Sequence, residues 1–533
     1  MKLPAIPILF FIFGSYTIFA QRDIRHDMRP AEVLQYIDFH YVDKPDMDAL
    51  ATHAIVSILE KLDPHSTYIS REDVADANQQ IQGSFVGVGI RFQIVKDTLL
   101  VINTIEGGPS EKVGIMAGDQ IIMVDGENLA GIGIKNADVR AKLLGEKDTR
   151  VQISVKRKGQ SELLNFTVVR DKIIENSVVA TYMIDKKIGY IKLIRFSRNS
   201  ADEVREAIAK LKIQGMEDLI VDLQDNGGGL LEVCAQIVDE FLGGNKLIVY
   251  SEGRKRPRKE YRASSKGNFE KGRLVILINE NSASASEILS GAIQDWDRGL
   301  IVGRRSFGKG LVQQPIPLSD GSEIRLTVAR YFTPSGRFIQ KPYEEGKSDE
   351  YRKEKFNRYT TGEMYYQDSI DFPDSLKYQT LVKNRTVYGG GGIMPDVFVP
   401  IDTSGVNELF KIMVRNGFFN NFSIEQVNNN RSFYKTKFPS FANFRAEFYD
   451  YFNTELEQQF FEYMKKEKTD LKYTQEEYDE CRALVAYRLK AAFASNLYGL
   501  SESYEVSNEF NNVLKRAVEI LQKKEYDKFG LAK

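Results

Sequence analysis

Between residues 171 and about 400, short apolar runs alternate with stretches whose apolar positions recur at helical spacing. Ile188–Leu193, 219–223, Leu274–Ile278 and 300–302 read as strands, and 201–213 and 230–242 read as helices filling the first two gaps. This alternation predicts an α/β core. Residues 26 to about 80 carry helical patterning, clearest at 47–62, and end in Leu62-Asp-Pro-His-Ser-Thr-Tyr68, where Asp63-Pro64 signals a turn. From 82 to 170 the pattern is one of short strands and glycine turns: Phe85-Val-Gly-Val-Gly-Ile90 leads into an alternating run to Ile94, and 99–105 makes another strand. Residues 342–378 turn charged and tyrosine-rich and read as a surface insertion, after which Gly389-Gly-Gly-Gly-Ile-Met-Pro-Asp396 closes the core. Beyond about 403 the spacing is helical with frequent Phe, Tyr, Lys and Glu, as at 460–465 and 476–492, and a helical packing domain is expected there.

A chain of 533 residues accommodates several domains at roughly 100 to 200 residues each. The formal net charge of -1 gives no general attraction to nucleic acid or to an anionic membrane. The dense basic cluster Arg254-Lys-Arg-Pro-Arg-Lys259 is followed by Glu260 and reads as a solvated loop. At the N-terminus Lys2 precedes an apolar stretch that contains Ile8-Leu-Phe-Phe-Ile-Phe13 and ends Thr17-Ile-Phe-Ala20, the pattern of a secretory signal cleaved after Ala20. Pro4, Pro7 and Gly14-Ser15 interrupt it, which argues against a retained membrane anchor. Cys234 lies in an apolar run of helical spacing and reads as a buried free thiol; Cys481 is remote from it, so no disulfide is expected. Nothing has metal-ligand spacing, and neither metal nor cofactor is expected.

Asn281-Ser-Ala-Ser-Ala-Ser-Glu287 and Ser306-Phe-Gly-Lys-Gly310 place serines and a lysine in the core, whereas all four histidines lie at or before His65. His65 reads as a local hydrogen-bonding residue of its turn, and His26, His40 and His53 as solvated or packing residues. A serine nucleophile in the core then has lysine as the remaining side chain that can take its proton, once burial has lowered the lysine pKa. Ser284 falls at a strand-to-helix turn, where free N–H groups and the helix dipole favour negative charge, and the Ala285 amide is one candidate oxyanion donor. Asp222-Leu-Gln-Asp-Asn-Gly-Gly-Gly-Leu230 suggests a second, because glycine amides can form an anion-binding concavity. The spacing of a phosphate loop is absent there. Phe307, Leu311 and Val312 offer Lys309 an apolar surround, and Gln313 follows in position to hold its amine, although a lysine between two glycines is more often a surface residue.

The segments 222–230, 279–295 and 303–313 together resemble the carboxy-terminal processing, or tail-specific, family of serine peptidases, as do Leu62 to Tyr68, Thr333-Pro-Ser-Gly-Arg337 and 391–400. The likeness spans about residues 30 to 402. It implies Ser284 as nucleophile, Lys309 as general base with Gln313 beside it, and the amides of Ala285 and of Gly228 or Gly229 as oxyanion donors, with Ser282 and Ser286 as turn and cap residues. The run Gly107 to Gly126 resembles a PDZ domain of the protease-associated kind. That likeness implies that Gly87, Val88, Gly89 and Ile90 present amides to a peptide's C-terminal carboxylate and that the next strand pairs with the peptide by edge addition. Two positions depart from the family pattern, Gln224 where Arg is frequent and Gly227 where Pro is frequent, which puts the stiffness of the oxyanion loop in question.

The expected architecture is an α/β multidomain protein: a signal peptide at 1–20, an N-terminal helical segment at 21–80, an inserted PDZ β domain at 82–170, a crotonase- or Clp-protease-like α/β core at 171–402 and a C-terminal helical domain at 403–533. The expected activity is that of an exported, ATP-independent serine endopeptidase, in the bacterial periplasm, acting on proteins or peptides with apolar C-termini. Delivery by a lipoprotein adaptor and homo-oligomerisation are left open. Two other readings compete: a noncatalytic PDZ adaptor, which would have no need of Ser284, Lys309 and Gln313, and an acyl-transfer enzyme, for which no coenzyme A site is evident.

Overall fold

Apolar runs with no polar face need cover on both sides, and the central sheet of the computed structural model has it. The structure describes residues 28–105, 107–370 and 372–531. The expected signal segment and His26 lie outside them. Six strands run in the order Val178–Met183, Ile188–Leu193, Asp218–Asp222, Leu274–Ile278, Leu300–Gly303 and Val397–Phe398. The first pair is antiparallel and the rest are parallel. Ile191, Leu193, Leu219, Val221, Ile276 and Ile278 point to one face, where the helices Ser200–Ile213, Leu231–Asp239 and Ala285–Asp295 cover them.

The opposite face is covered from the far end of the chain. Tyr190, Ile220, Val275, Leu277, Leu300 and Val302 pack against Val513, Leu514, Ala517, Ile520 and Leu521 of the helix Asn512–Gln522, and against Tyr526. Arg273, paired with Asp218, donates to the Leu521 carbonyl at 2.8 Å and closes that helix. Residues 403–533, expected as one helical domain, therefore hold two groups of helices. Those from Glu408–Arg415 to Gln475–Leu497 share an aromatic core of their own built on Phe418, Phe422, Phe444, Phe448, Phe460 and Phe493, whereas 512–531 completes the central sheet.

A second, antiparallel sheet has Glu323–Phe332 at its centre. This strand pairs with Thr67–Ile69 from the N-terminal segment, with Leu311–Pro317, and with Leu247–Gly253, which in turn carries Arg256–Arg262 at the edge. The basic cluster is thus not a loop: only Arg254 and Lys255 turn, and Arg258 and Lys259 lie on an exposed edge strand, where Arg258 stacks on Tyr250 and pairs with Glu260.

Residues 90–169 form a separate sheet in which Ile90–Val95 is a terminal strand, pairing with Thr98–Thr104 on one side only. The helix Asn136–Leu143 packs over it through Val139 and Leu143. Polar contacts tie this unit to the C-terminal helices: Gln93 Nε2 donates to Asn421 Oδ1 at 2.8 Å, Lys158 Nζ to the Asn429 carbonyl at 3.0 Å, and Lys96 lies 3.4 Å from Glu467. The segment expected as a surface insertion is built in. Its helix Ser348–Thr360 buries Tyr351 and Arg358, and Lys377–Gln379 pairs with Thr386–Tyr388.

Candidate active site

The strand Leu274–Ile278 delivers the chain to a tight turn in which Ser282 Oγ donates to the Leu223 carbonyl at 2.8 Å and accepts from the Asn279 amide at 2.9 Å. Two residues on, Ser284 is held at φ 56° and ψ −114°, immediately before the buried helix Ala285–Asp295. A non-glycine residue in this region costs about 1–3 kcal/mol and persists only where its surroundings over-determine it. The over-determination is visible. Ser284 N donates to Glu287 Oε2 at 2.8 Å, a capping-box contact, and Ser286 Oγ donates to the Asn226 carbonyl at 2.9 Å. Ser282 and Ser286 thus spend their hydroxyls on carbonyls; Ser282 is the turn residue expected, whereas Ser286 lies inside the helix and the cap is Ser284 itself.

Glu287 is fully buried and its carboxylate accepts four bonds: from the amides of Ser284 and Lys309 on Oε2, at 2.8 and 2.9 Å, and from Ser306 Oγ and the Gly308 amide on Oε1, at 2.5 and 2.7 Å. Burial pushes this carboxyl above its ordinary range, and these donors offset only part of that push. The Tyr331 hydroxyl lies between the carbonyls of Ser284 (3.1 Å) and Lys309 and can donate to either. The serine turn and the lysine loop are therefore one bonded unit.

Lys309 points inward, and burial lowers its pKa, with Glu287 opposing and Arg325 assisting. Its Nζ donates to Gln313 Oε1 at 2.8 Å, and Gln313 Nε2 donates to the His65 carbonyl. Opposite Val312 and Gln313 the partner strand Glu323–Phe332 carries an extra residue, Val328, so that Gln313 faces Thr327. Among the described residues no hydrogen bond joins Lys309 Nζ to Ser284 Oγ. Such contacts often tighten only with substrate bound.

On the other side of Ser284 lies the glycine loop. A Cβ on Gly228, whose φ is 101°, would stand 2.7 Å from Ser284 Cβ and 2.8 Å from the Ala283 carbonyl oxygen, so only glycine lets the two backbones meet. Asn226 Oδ1 accepts the Gly228 amide at 2.9 Å, which commits one of the two glycine amides expected as the second oxyanion donor. Gly229, at φ 147°, bridges Phe196. The loop is anchored on either side of Gln224, one of the two positions that depart from the family pattern. Lys192 Nζ donates to the Gln224 carbonyl at 2.6 Å and pairs with Asp222 at 3.0 Å, Tyr190 donates to Asp222 at 2.7 Å, and Asp225 accepts from Asn279 and Asn281 at 2.9 and 2.6 Å.

The chain also matches known proteins. Residues 187–346 fit the model of peptidase family S41, 86–168 that of a PDZ domain, and 409–499 that of a family of unknown function. A carboxy-terminal-processing protease of Bartonella bacilliformis is 34% identical over 317 residues, 58% of this chain and 72% of that protein. The carboxy-terminal processing protease CtpA of Bacillus subtilis is 32% identical over 343 residues, 63% of this chain and 72% of that one. This chain belongs to the carboxy-terminal processing proteases. Among solved structures, the photosystem II D1 C-terminal processing protease aligns over 69% of this chain and 92% of that one at 27% identity, with a TM-score of 0.35.

In this member of the family, then, the expected site residues fall in two places. Ser284, Ala285, Lys309, Gln313, Gly228 and Gly229 lie around one centre. Gly87, Val88, Gly89 and Ile90 lie in the PDZ domain, where Gly87 ends the strand Ser84–Gly87, Val88 is buried and Ile90 opens the terminal strand. Both thiols are free and buried, with Cys234 Sγ donating to the Ala285 carbonyl at 3.0 Å.

His65 does not meet Lys309 directly: its carbonyl accepts from Gln313, its ring makes a 2.8 Å bond to Tyr351 OH, and burial with help from Lys309 pushes its pKa down to about 3. Nor is its part confined to its own turn, since Tyr351 lies on the far helix Ser348–Thr360. Glu287, Tyr331 and Asn226 were missed as site residues. Ser284-x-x-Glu287 is a capping-box signature and could have drawn attention to Glu287; Tyr331 and Asn226 carry no comparable signal.

Proposed function

We propose that this protease captures polypeptides by apolar C-terminal tails and hydrolyses them at Ser284 with Lys309 as general base. The observation that carries the reading is the shared bonding of the Ser284 and Lys309 amides to Glu287, which fixes nucleophile and base in one frame. The tail carboxylate meets the amides of Gly87 to Ile90, and the tail adds to the free edge of Ile90–Val95. Lys309, its pKa lowered by burial, swings onto Ser284 and takes the hydroxyl proton as Oγ bonds to the carbonyl carbon. The charge that develops on the carbonyl oxygen meets the amides of Ala285 and Gly229. The Lys309 ammonium returns its proton to the leaving amine as the C–N bond breaks, and water repeats the sequence on the acyl-enzyme.

The core is read as a crotonase- and Clp-protease-like fold completed by 512–531, with the PDZ domain at 82–170 acting as a gate. The apolar leader supports export to the periplasm. The test compares wild type with Ser284→Ala and Lys309→Ala on an unfolded substrate that ends in an apolar tail. Loss of activity by roughly 10³-fold or more in both is expected; equal cleavage by all three overturns the reading.

A further inference from the structure

The S41 match ends at residue 346, two residues before the helix Ser348–Thr360 begins. That helix nevertheless grips both halves of the site. Lys355 Nζ donates to Asn281 Oδ1, three residues before Ser284. Arg358 donates to the carbonyls of Ser306 at 2.9 Å and Phe307 at 3.2 Å, in the loop that carries Lys309. Tyr351 meets His65, whose carbonyl holds Gln313.

The donors in this last chain can be ordered. Gln340 Nε2 can only donate, and it meets Tyr351 OH at 3.0 Å. The Tyr351 proton is then free for His65 Nε2 at 2.8 Å, which makes Nε2 an acceptor and leaves the ring proton on Nδ1. A neutral ring is required for this, and burial supplies it. The His65 backbone is fixed from its other side by Asp63 Oδ1, which accepts the amides of His65 and Ser66 at 2.8 and 2.9 Å and the Thr327 hydroxyl at 3.1 Å. Thr327 faces Gln313 across the strand pair. The His65 carbonyl must receive an N–H, so the Gln313 amide has one orientation: Nε2 toward His65 and Oε1 toward Lys309. A neutral Lys309 that donates to Oε1 has its lone pair directed away from Gln313.

We infer that Tyr351 is a positioning residue of the catalytic centre, acting through His65 and Gln313 to aim the Lys309 amine, so that the helix Ser348–Thr360 is a working part of the peptidase. The inference rests on the assignment of Lys309 as base, and the experiment separates the two. In the full-length enzyme, kcat and KM are measured on an unfolded polypeptide with an apolar C-terminus for wild type, Tyr351→Phe, His65→Leu, the double variant and Lys309→Ala. Tyr351→Phe keeps the ring packing and removes the hydroxyl. His65→Leu keeps the carbonyl and removes the same bond from the other end. Each is expected to lower kcat about tenfold, the weight of about 1.4 kcal/mol, with KM within about twofold. The double variant is expected to match the singles, because one chain of contacts is cut twice. A wild-type kcat in His65→Leu, or losses that multiply in the double variant, overturns the inference while an inactive Lys309→Ala leaves the base assignment standing. An active Lys309→Ala overturns both.

Discussion

Ser284 and Lys309 donate their main-chain amides to the same atom, Oε2 of Glu287, at 2.8 and 2.9 Å. Neither bond involves a reacting group, yet together they fix the distance between the two loops that the chemistry must bridge. A carboxylate suits the place because it is acceptor-only and can serve four donors at once.

Glu287→Gln tests this. Its amide offers one oxygen to four donors and sets an NH₂ against the others, so about 2–4 kcal/mol of stability is expected to be lost. Peptidase activity is expected to fall further than Tm alone explains. Chemical denaturation and kcat, measured side by side, check it.

The close approach of Gly228 to Ser284 leaves no room for a methyl group. Gly228→Ala is expected to cut kcat by roughly 10²-fold or more, with tail binding to the PDZ domain unchanged. Peptide binding by fluorescence anisotropy, alongside kinetics, separates the two.

Burial lowers the Lys309 pKa below its ordinary value of 10.5. Below pH 10.5 the unfolded chain holds a proton that the folded one binds less readily, so stability rises with pH from the native pKa of Lys309 up to 10.5 and the deficit is full below that window. Lys309→Met removes the deficit. Its Tm is expected to exceed that of wild type at neutral pH and to converge with it above pH 10.5. In wild type, kcat/KM is expected to fall on the acid side as the amine protonates.

His65 repeats the sign at lower pH. With its pKa lowered from 6.5 to about 3, stability is expected to fall as pH drops through that window, since the unfolded chain takes the proton and the folded chain does not. His65→Leu is expected to flatten the slope of Tm against pH between 6.5 and 3.

The contacts of the PDZ domain with the C-terminal helices are polar and partly exposed, Lys96 with Glu467 and Glu425 among them. Such pairs are worth little singly and weaken with salt. Glu467→Lys is expected to loosen the domain, read as faster limited proteolysis between residues 82 and 90, with the difference from wild type shrinking as salt is raised.

What the sequence discloses follows from which forces are local. The buried strands of the central sheet stand within a residue or so of where their apolar runs place them, and the strand-turn-helix around Ser284 is where its pattern puts it. The antiparallel sheet was not legible: Arg256–Arg262 is almost wholly polar, Leu311–Pro317 carries two prolines, and its partner Glu323–Phe332 has an extra residue opposite it. The charged segment 342–378 read as surface because guanidinium and phenol groups usually stay wet. Arg358 and Tyr351 are buried because their donors meet carbonyls and a ring nitrogen far away in sequence. An amphipathic helix likewise does not announce its partner, and Asn512–Gln522 could have joined the C-terminal bundle as readily as the sheet.

That last helix sets an order of events. Tyr190, Ile220, Val275 and Leu277 have their second face covered chiefly by residues 513–521, more than two hundred residues later in the chain. A nascent or truncated chain that already possesses the serine, the lysine and the tail-binding domain still lacks a finished floor beneath them. A chain cut before residue 512 is therefore expected to expose this apolar face and to lose solubility and activity together, although its serine, lysine and tail-binding domain are intact.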